Sequence, residues 1–158
     1  MVGTAIVHAM PAQLQAAWVR RFGAKVGLSD PTPADHALIE ELLSMMQAQG
    51  ADFTNVFAAL GSDTARDQFT DRVVFDEWHG RWAARIGPDA SDVMAAANPQ
   101  IIPRNHRIEA MIEAAVAGDM APFGRLTDAL RRPYDLTDSD LRRPPTSAEI
   151  VPATFCGT

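Results

Sequence analysis

Asp92-Val-Met-Ala-Ala-Ala-Asn-Pro-Gln-Ile-Ile-Pro-Arg-Asn-His-Arg-Ile-Glu-Ala-Met-Ile-Glu-Ala-Ala-Val-Ala-Gly-Asp119, closed at 131–134 by Arg-Arg-Pro-Tyr, is the stretch that decides the fold. Asn98 and Ile102 each precede a proline, which drives both out of the α region and holds the entering chain extended. Asn105 is placed to cap the helix that follows, its side-chain oxygen accepting an orphan backbone N–H. Ile108, Met111, Ile112 and Ala115 recur at i, i+3, i+4 and i+7, one apolar stripe on a helix. Gly118 closes that helix in the left-handed conformation. Asp119 then caps a second helix that buries Phe123, Leu126 and Leu130 until Pro133 stops it. The pattern predicts a helical hairpin entered from a proline-stiffened loop.

Outward from the hairpin the same period continues. Leu14, Trp18 and Phe22 fall four apart, which predicts an amphipathic helix from Pro11 to Val26 ended by Gly27. Thr32-Pro33-Ala34-Asp35 is a helix start: Thr32 caps, Pro33 suits the first position, and Asp35 returns a bond to the cap. Leu38, Ile39, Leu42, Leu43, Met45 and Met46 then form a wide apolar face that Gly50 ends. Asp52-Phe53-Thr54 opens a short helix through Leu60. Ser62 or Asp63 caps a longer one carrying Phe75, Trp78, Trp82 and Ile86, closed by Gly87-Pro88. No segment alternates as a strand does. The expected fold is all-α, an irregular bundle of about seven helices with short joints. A helical domain spans 1–134, and an irregular tail rich in Pro and Arg spans 135–158.

Composition excludes several classes of function. The net charge of −6 is the wrong sign for a nucleic-acid binder, whose footprint is basic. No apolar run approaches the length of a membrane span. The first eight residues lack the basic start and long apolar core of a signal peptide. A single cysteine leaves no disulfide partner within the chain and suits a reducing cytoplasm. No glycine-rich phosphate loop with a following lysine is present, nor a paired acidic motif for nucleotide-bound magnesium.

Asn98-Pro99, Arg104-Asn105, Glu109-Ala110, Ile112, Ala115, Gly118-Asp119 and Arg132-Pro133-Tyr134 resemble the C-terminal region of the selenoprotein O family. Ala16-Ala17-Trp18, Lys25-Val26-Gly27-Leu28 and Asp52-Phe53-Thr54 are similar to it as well. The resemblance runs from Pro11 to the last residues and corresponds to the final third of such a protein. It implies a bacterial, cytoplasmic parent with a kinase-like fold that transfers AMP from ATP to hydroxyl side chains of proteins. ATP and Mg belong to that parent, and its N-terminal kinase-like core is the implied partner of this chain. By the same resemblance the chain carries no catalytic, cofactor-binding or metal residue, and its role is structural or regulatory. The alternative is a stand-alone helical interaction module without enzymatic activity. In either case wide apolar stripes left bare favour self-association.

A few residues compete for a chemical role. Asp76 with His79, and His106 with Glu109, stand three apart on one helix face, as metal ligands in a bundle do. A di-iron bundle needs two Glu-x-x-His pairs and two further glutamates, so solvated polar faces explain both pairs more simply. His106 and Glu109 also form an acid–base pair without a nearby nucleophile. Trp78 and Trp82 are core or an interface patch. Arg131-Arg132 and Arg142-Arg143 either complement helix ends or grip an acidic surface. Cys156, in Phe-Cys-Gly-Thr at the end of the tail, is the candidate redox thiol, because the family carries selenocysteine or cysteine at a reactive terminal position.

Overall fold

The computed structural model describes residues 2–62 and 64–152, with only the backbone of residues 2–7. Among the described residues the chain is all-α, with eight α-helices, three short 3-10 turns and no strand. They form two compact units that divide between Asn98 and Pro99, ahead of the composition change after Tyr134.

The first unit begins with α1 (Val2–Lys25), longer than the apolar period predicts and carrying Pro11 inside it. Gly27 follows in the left-handed region at φ 81°. A 3-10 turn (Pro33–Asp35) leads directly into α2 (His36–Gln49), started as the sequence predicts. The Thr32 N–H and hydroxyl both donate to the Asp35 carboxylate, at 2.7 and 2.9 Å. Gly50, at φ 64°, ends the helix. Asp52 caps α3 (Phe53–Ala59) by accepting from the Asn55 N–H. The next helix, α4 (Arg72–Arg85), is capped by Asp71, not by Ser62; Asp63 lies outside the described residues. The shift arises because Phe69, at the end of the 3-10 turn Ala65–Gln68, is itself buried and stacks on Phe75 at 4.7 Å. Ser62 instead donates to the Ala59 carbonyl. A short α5 (Ala90–Ala97) completes the unit.

Its core is aromatic at the centre. Trp78 is fully buried and stacks on Trp82, with centroids 5.7 Å apart. A buried indole is stable only if its N–H finds a partner. Trp78 donates to the Leu38 carbonyl and Trp82 to that of Val26, at 2.9 and 2.8 Å. The two tryptophans are therefore core rather than interface, packed with Val26, Ile39, Leu42, Met46, Val56 and Phe57. The stripe predicted on α1 is only half realised: Phe22 packs on this core, whereas Leu14 is exposed.

The second unit is the hairpin of α6 (Asn105–Val116) and α7 (Ala121–Leu130), followed by a short α8 (Ser139–Arg142) and a 3-10 turn (Ser147–Glu149). Gly118 takes φ 92° between the helices, as the sequence predicts. Met120, not Asp119, holds the cap position of α7, and Asp119 one residue earlier accepts from the Ala121 N–H. Two further details differ. Arg104 occupies the cap of α6, with Asn105 already inside the helix and no side-chain capping bond. Phe123 is exposed, because the core of Ile101, Leu126, Ala129 and Leu141 lies toward the other end of α7. Leu141 comes from beyond Tyr134, so that segment contributes to this core. Arg107 reaches Asp140, and Arg125 reaches Asp138 and Asp140, holding the segment to the hairpin.

Candidate functional site

The one buried histidine of the described residues, His106, sits in the first turn of α6, and two shallow grooves adjoin it. One, of about 360 Å³, is lined by Ile102 to His106 with Pro145 and Glu149 to Val151. The other, of about 490 Å³, continues past His106 along Glu109, Ala110 and Glu113, with Ala148 to Pro152 opposite. The proline-stiffened entry at 102–103 shapes the first wall, because Pro103 drives Ile102 out of the α region and holds the chain extended ahead of α6.

His106 and Glu109 thus share one wall, as their spacing predicts. The imidazole is nine-tenths buried, and its Nε2 has no hydrogen-bond partner among the described residues. Burial, and next the Arg107 charge, push its pKa below the ordinary histidine value; Glu149 opposes this, while Arg143 and Arg104 reinforce it. The ring is therefore neutral at neutral pH. Glu149 is far below the usual carboxylate range, because Arg143 binds both its oxygens and Thr146 donates to one of them through N–H and hydroxyl. It is a fixed anion rather than a proton carrier. Among the described residues no serine, threonine, cysteine or lysine lines either groove, so they set a neutral base there without a nucleophile beside it.

The other candidates are dispersed. Asp76 is held bidentately by Arg66, at 2.7 and 2.8 Å, and His79 lies against the Phe75 and Trp82 rings. Among the described residues no group of three His, Cys, Asp or Glu is arranged to hold a metal ion. Arg131 pairs with Asp128, Arg132 with Asp135, Arg142 with Gln100 and Arg143 with Glu149, all within the second unit. Cys156 lies outside the described residues. No helix of the described residues is long and apolar enough to cross a membrane.

One feature escaped the sequence. Lys25, the chain's sole lysine, is half-buried, and its ammonium stands 5.7 and 5.4 Å from the Phe53 and Phe57 ring centres. No local signal marks it, since its partners lie far away in sequence.

Sequence comparison places these features in a family. A protein nucleotidyltransferase YdiU of Roseobacter denitrificans is 59% identical over 157 residues, 98% of this chain. The protein of the same name from Ruegeria pomeroyi is 55% identical over 159 residues, and that from a Jannaschia species 42% over 168. Over nearly its whole length the chain is thus similar to one region of YdiU proteins, which make up the selenoprotein O family. It spans about a third of the length of these YdiU relatives, consistent with the C-terminal region that the motifs imply. No family model matches the chain.

Proposed function

We propose that this chain is the C-terminal helical part of a protein AMP-transferase, one that moves AMP from ATP to hydroxyl side chains of proteins. The identity of 59%, sustained over 98% of the chain against a protein named as a nucleotidyltransferase, carries the reading. The nucleotide chemistry is assigned to the other two-thirds of such a protein, a kinase-like core in the bacterial cytoplasm. The described residues do not fit ATP with its magnesium. Glu109, Glu113 and Glu149 in the groove walls repel phosphate, and no cluster of three metal-ligating side chains is present among the described residues. The role of this part is structural or regulatory, with Cys156 as its redox-responsive thiol.

Titration calorimetry with ATP and magnesium tests the assignment on the isolated chain, beside the intact Roseobacter denitrificans relative. The expected result is AMP transfer by the intact relative and no saturable ATP binding by the chain. Saturable micromolar binding by the chain alone overturns it. Mild oxidation followed by non-reducing electrophoresis tests the thiol. A dimer reversed by dithiothreitol and absent from Cys156→Ser is expected; a wild-type chain that stays monomeric overturns that role.

A further inference from the structure

Among the described residues, α1 is bare from His8 to Ala16. Every side chain from His8 to Ala16 is exposed, and burial begins only near Trp18 and Val19. Met10 and Leu14 are 46% and 65% exposed. The run His8-Ala-Met-Pro-Ala-Gln-Leu-Gln-Ala16 carries no Asp, Glu, Lys or Arg, although 22% of the chain is charged. A solvated helix face is normally charged, so this one is composed like a covered surface. Helicity here is also weak on local grounds. Pro11, inside the helix, removes one of its backbone hydrogen bonds. Beside the run lies an apolar groove of about 270 Å³, walled by Ala12, Gln15, Ala16 and Val19 of α1 and by Pro31 and Pro33 of the following loop.

We infer that this face of α1 and its groove dock against the remaining two-thirds of a YdiU-length polypeptide. The inference rests on the reading that the chain is the C-terminal part of such a protein. In its relatives about two-thirds of the polypeptide lies outside the matched region. With the chain read as the C-terminal part, the other two-thirds lie ahead of the matched region, on the side of α1. The occupant is an uncharged, apolar surface of that core, because a charged one would be desolvated against Met10, Leu14 and the prolines without a partner. A second copy of this chain is the competing occupant.

Hydrogen exchange separates these cases, measured on the isolated chain and on a chimera in which the chain replaces the matching third of the intact Roseobacter denitrificans relative. In the isolated chain the amides of residues 8–16 exchange fast while those of 19–25 are protected. In the chimera the 8–16 amides slow by roughly tenfold or more, and Leu14→Asp abolishes that slowing without changing the thermal midpoint of the isolated chain. Protection of 8–16 in the isolated chain, whether as a monomer or as a dimer seen by sedimentation, overturns the inference. A chimera that transfers AMP with 8–16 unprotected overturns the docking and leaves the proposed function standing. Protection without AMP transfer does the reverse, and a chimera that fails to fold overturns both.

Discussion

Lys25 and Asn98 hold one another reciprocally across the first unit. The Asn98 amide donates to the Lys25 carbonyl at 2.8 Å, and the Lys25 ammonium donates to Asn98 Oδ1 and the Ala97 carbonyl at 3.3 and 3.2 Å. The pair ties the end of α1 to the end of α5, and Asn98 is only 2% exposed. Burial also holds the lysine pKa below its ordinary value. Asn98→Leu keeps the volume but removes donor and acceptor together, leaving the Lys25 carbonyl and ammonium short of partners. The expected loss is about 2–4 kcal/mol in urea unfolding. Lys25→Met, which keeps the apolar stem over the two phenylalanines, costs only about 1 kcal/mol.

Asp35 sets the acid sensitivity of the same unit. It is 5% exposed, yet Arg85 donates to both its oxygens, at 2.7 and 2.9 Å, in addition to the Thr32 bonds. Burial is the largest single influence and raises its pKa; the Arg85 and Thr32 bonds together outweigh it, so the group lies below the ordinary aspartate value. The folded state thus binds fewer protons than the unfolded one. The stability is complete above the unfolded pKa and is lost as pH falls through the folded one. Asp35→Asn is expected to cost about 2 kcal/mol at neutral pH and to flatten the decline in stability below about pH 5. Urea midpoints of both proteins across that range provide the check.

These two pairs mark what could be read from the sequence. Thr32 and Asp35 are three residues apart, so their capping bonds are local and the motif alone locates them. Lys25 and Asn98 are separated by 73 residues, and only the packing of α5 on α1 brings them together. Periodicity identified the apolar faces but not how far their neighbours extend. Leu14 and Phe123 each continue a correct stripe, and both are exposed because the core ends before them. His106 reads as a surface residue in a first helical turn. It is buried, and residues 149–151, which carry no periodic signal, share its groove walls.

His106 gives a second pH dependence, at higher pH than Asp35. Its folded pKa is below the ordinary histidine value of about 6.5, chiefly through burial. The unfolded chain therefore takes up a proton first as pH falls. Stability from this group is complete above about pH 6.5 and declines as pH drops through the folded pKa. His106→Phe, which fills the same space without a titrating ring, is expected to remove that slope. Unfolding of the two proteins in urea at steps from about pH 8 to about pH 5 reads it directly. Parallel profiles for wild type and variant would show that the ring titrates alike in the folded and unfolded chain.

Gly27 and Gly118 both take left-handed backbone, at φ 81° and 92°, and alanine at each separates backbone strain from packing. At Gly118 an added Cβ meets nothing within 4 Å. Gly118→Ala is therefore expected to cost only the left-handed penalty, about 1–2 kcal/mol, and Gly118→Asn less, since asparagine tolerates that region. At Gly27 the added Cβ would stand 3.0 Å from the Ala90 Cβ, 3.1 Å from its carbonyl oxygen and 3.2 Å from the Met94 Cγ. Two of those atoms move only with the backbone of α5, so the crowding cannot relax by a rotamer change. Gly27→Ala is expected to lose about 2–4 kcal/mol, strain and overpacking together. It should also weaken the neighbouring Lys25–Asn98 pair, because shifting α5 moves Asn98 with it. In a double-mutant cycle Gly27→Ala and Asn98→Leu should be less than additive, while Gly118→Ala and Asn98→Leu should simply add. Additive losses at Gly27 would mean that α5 does not move.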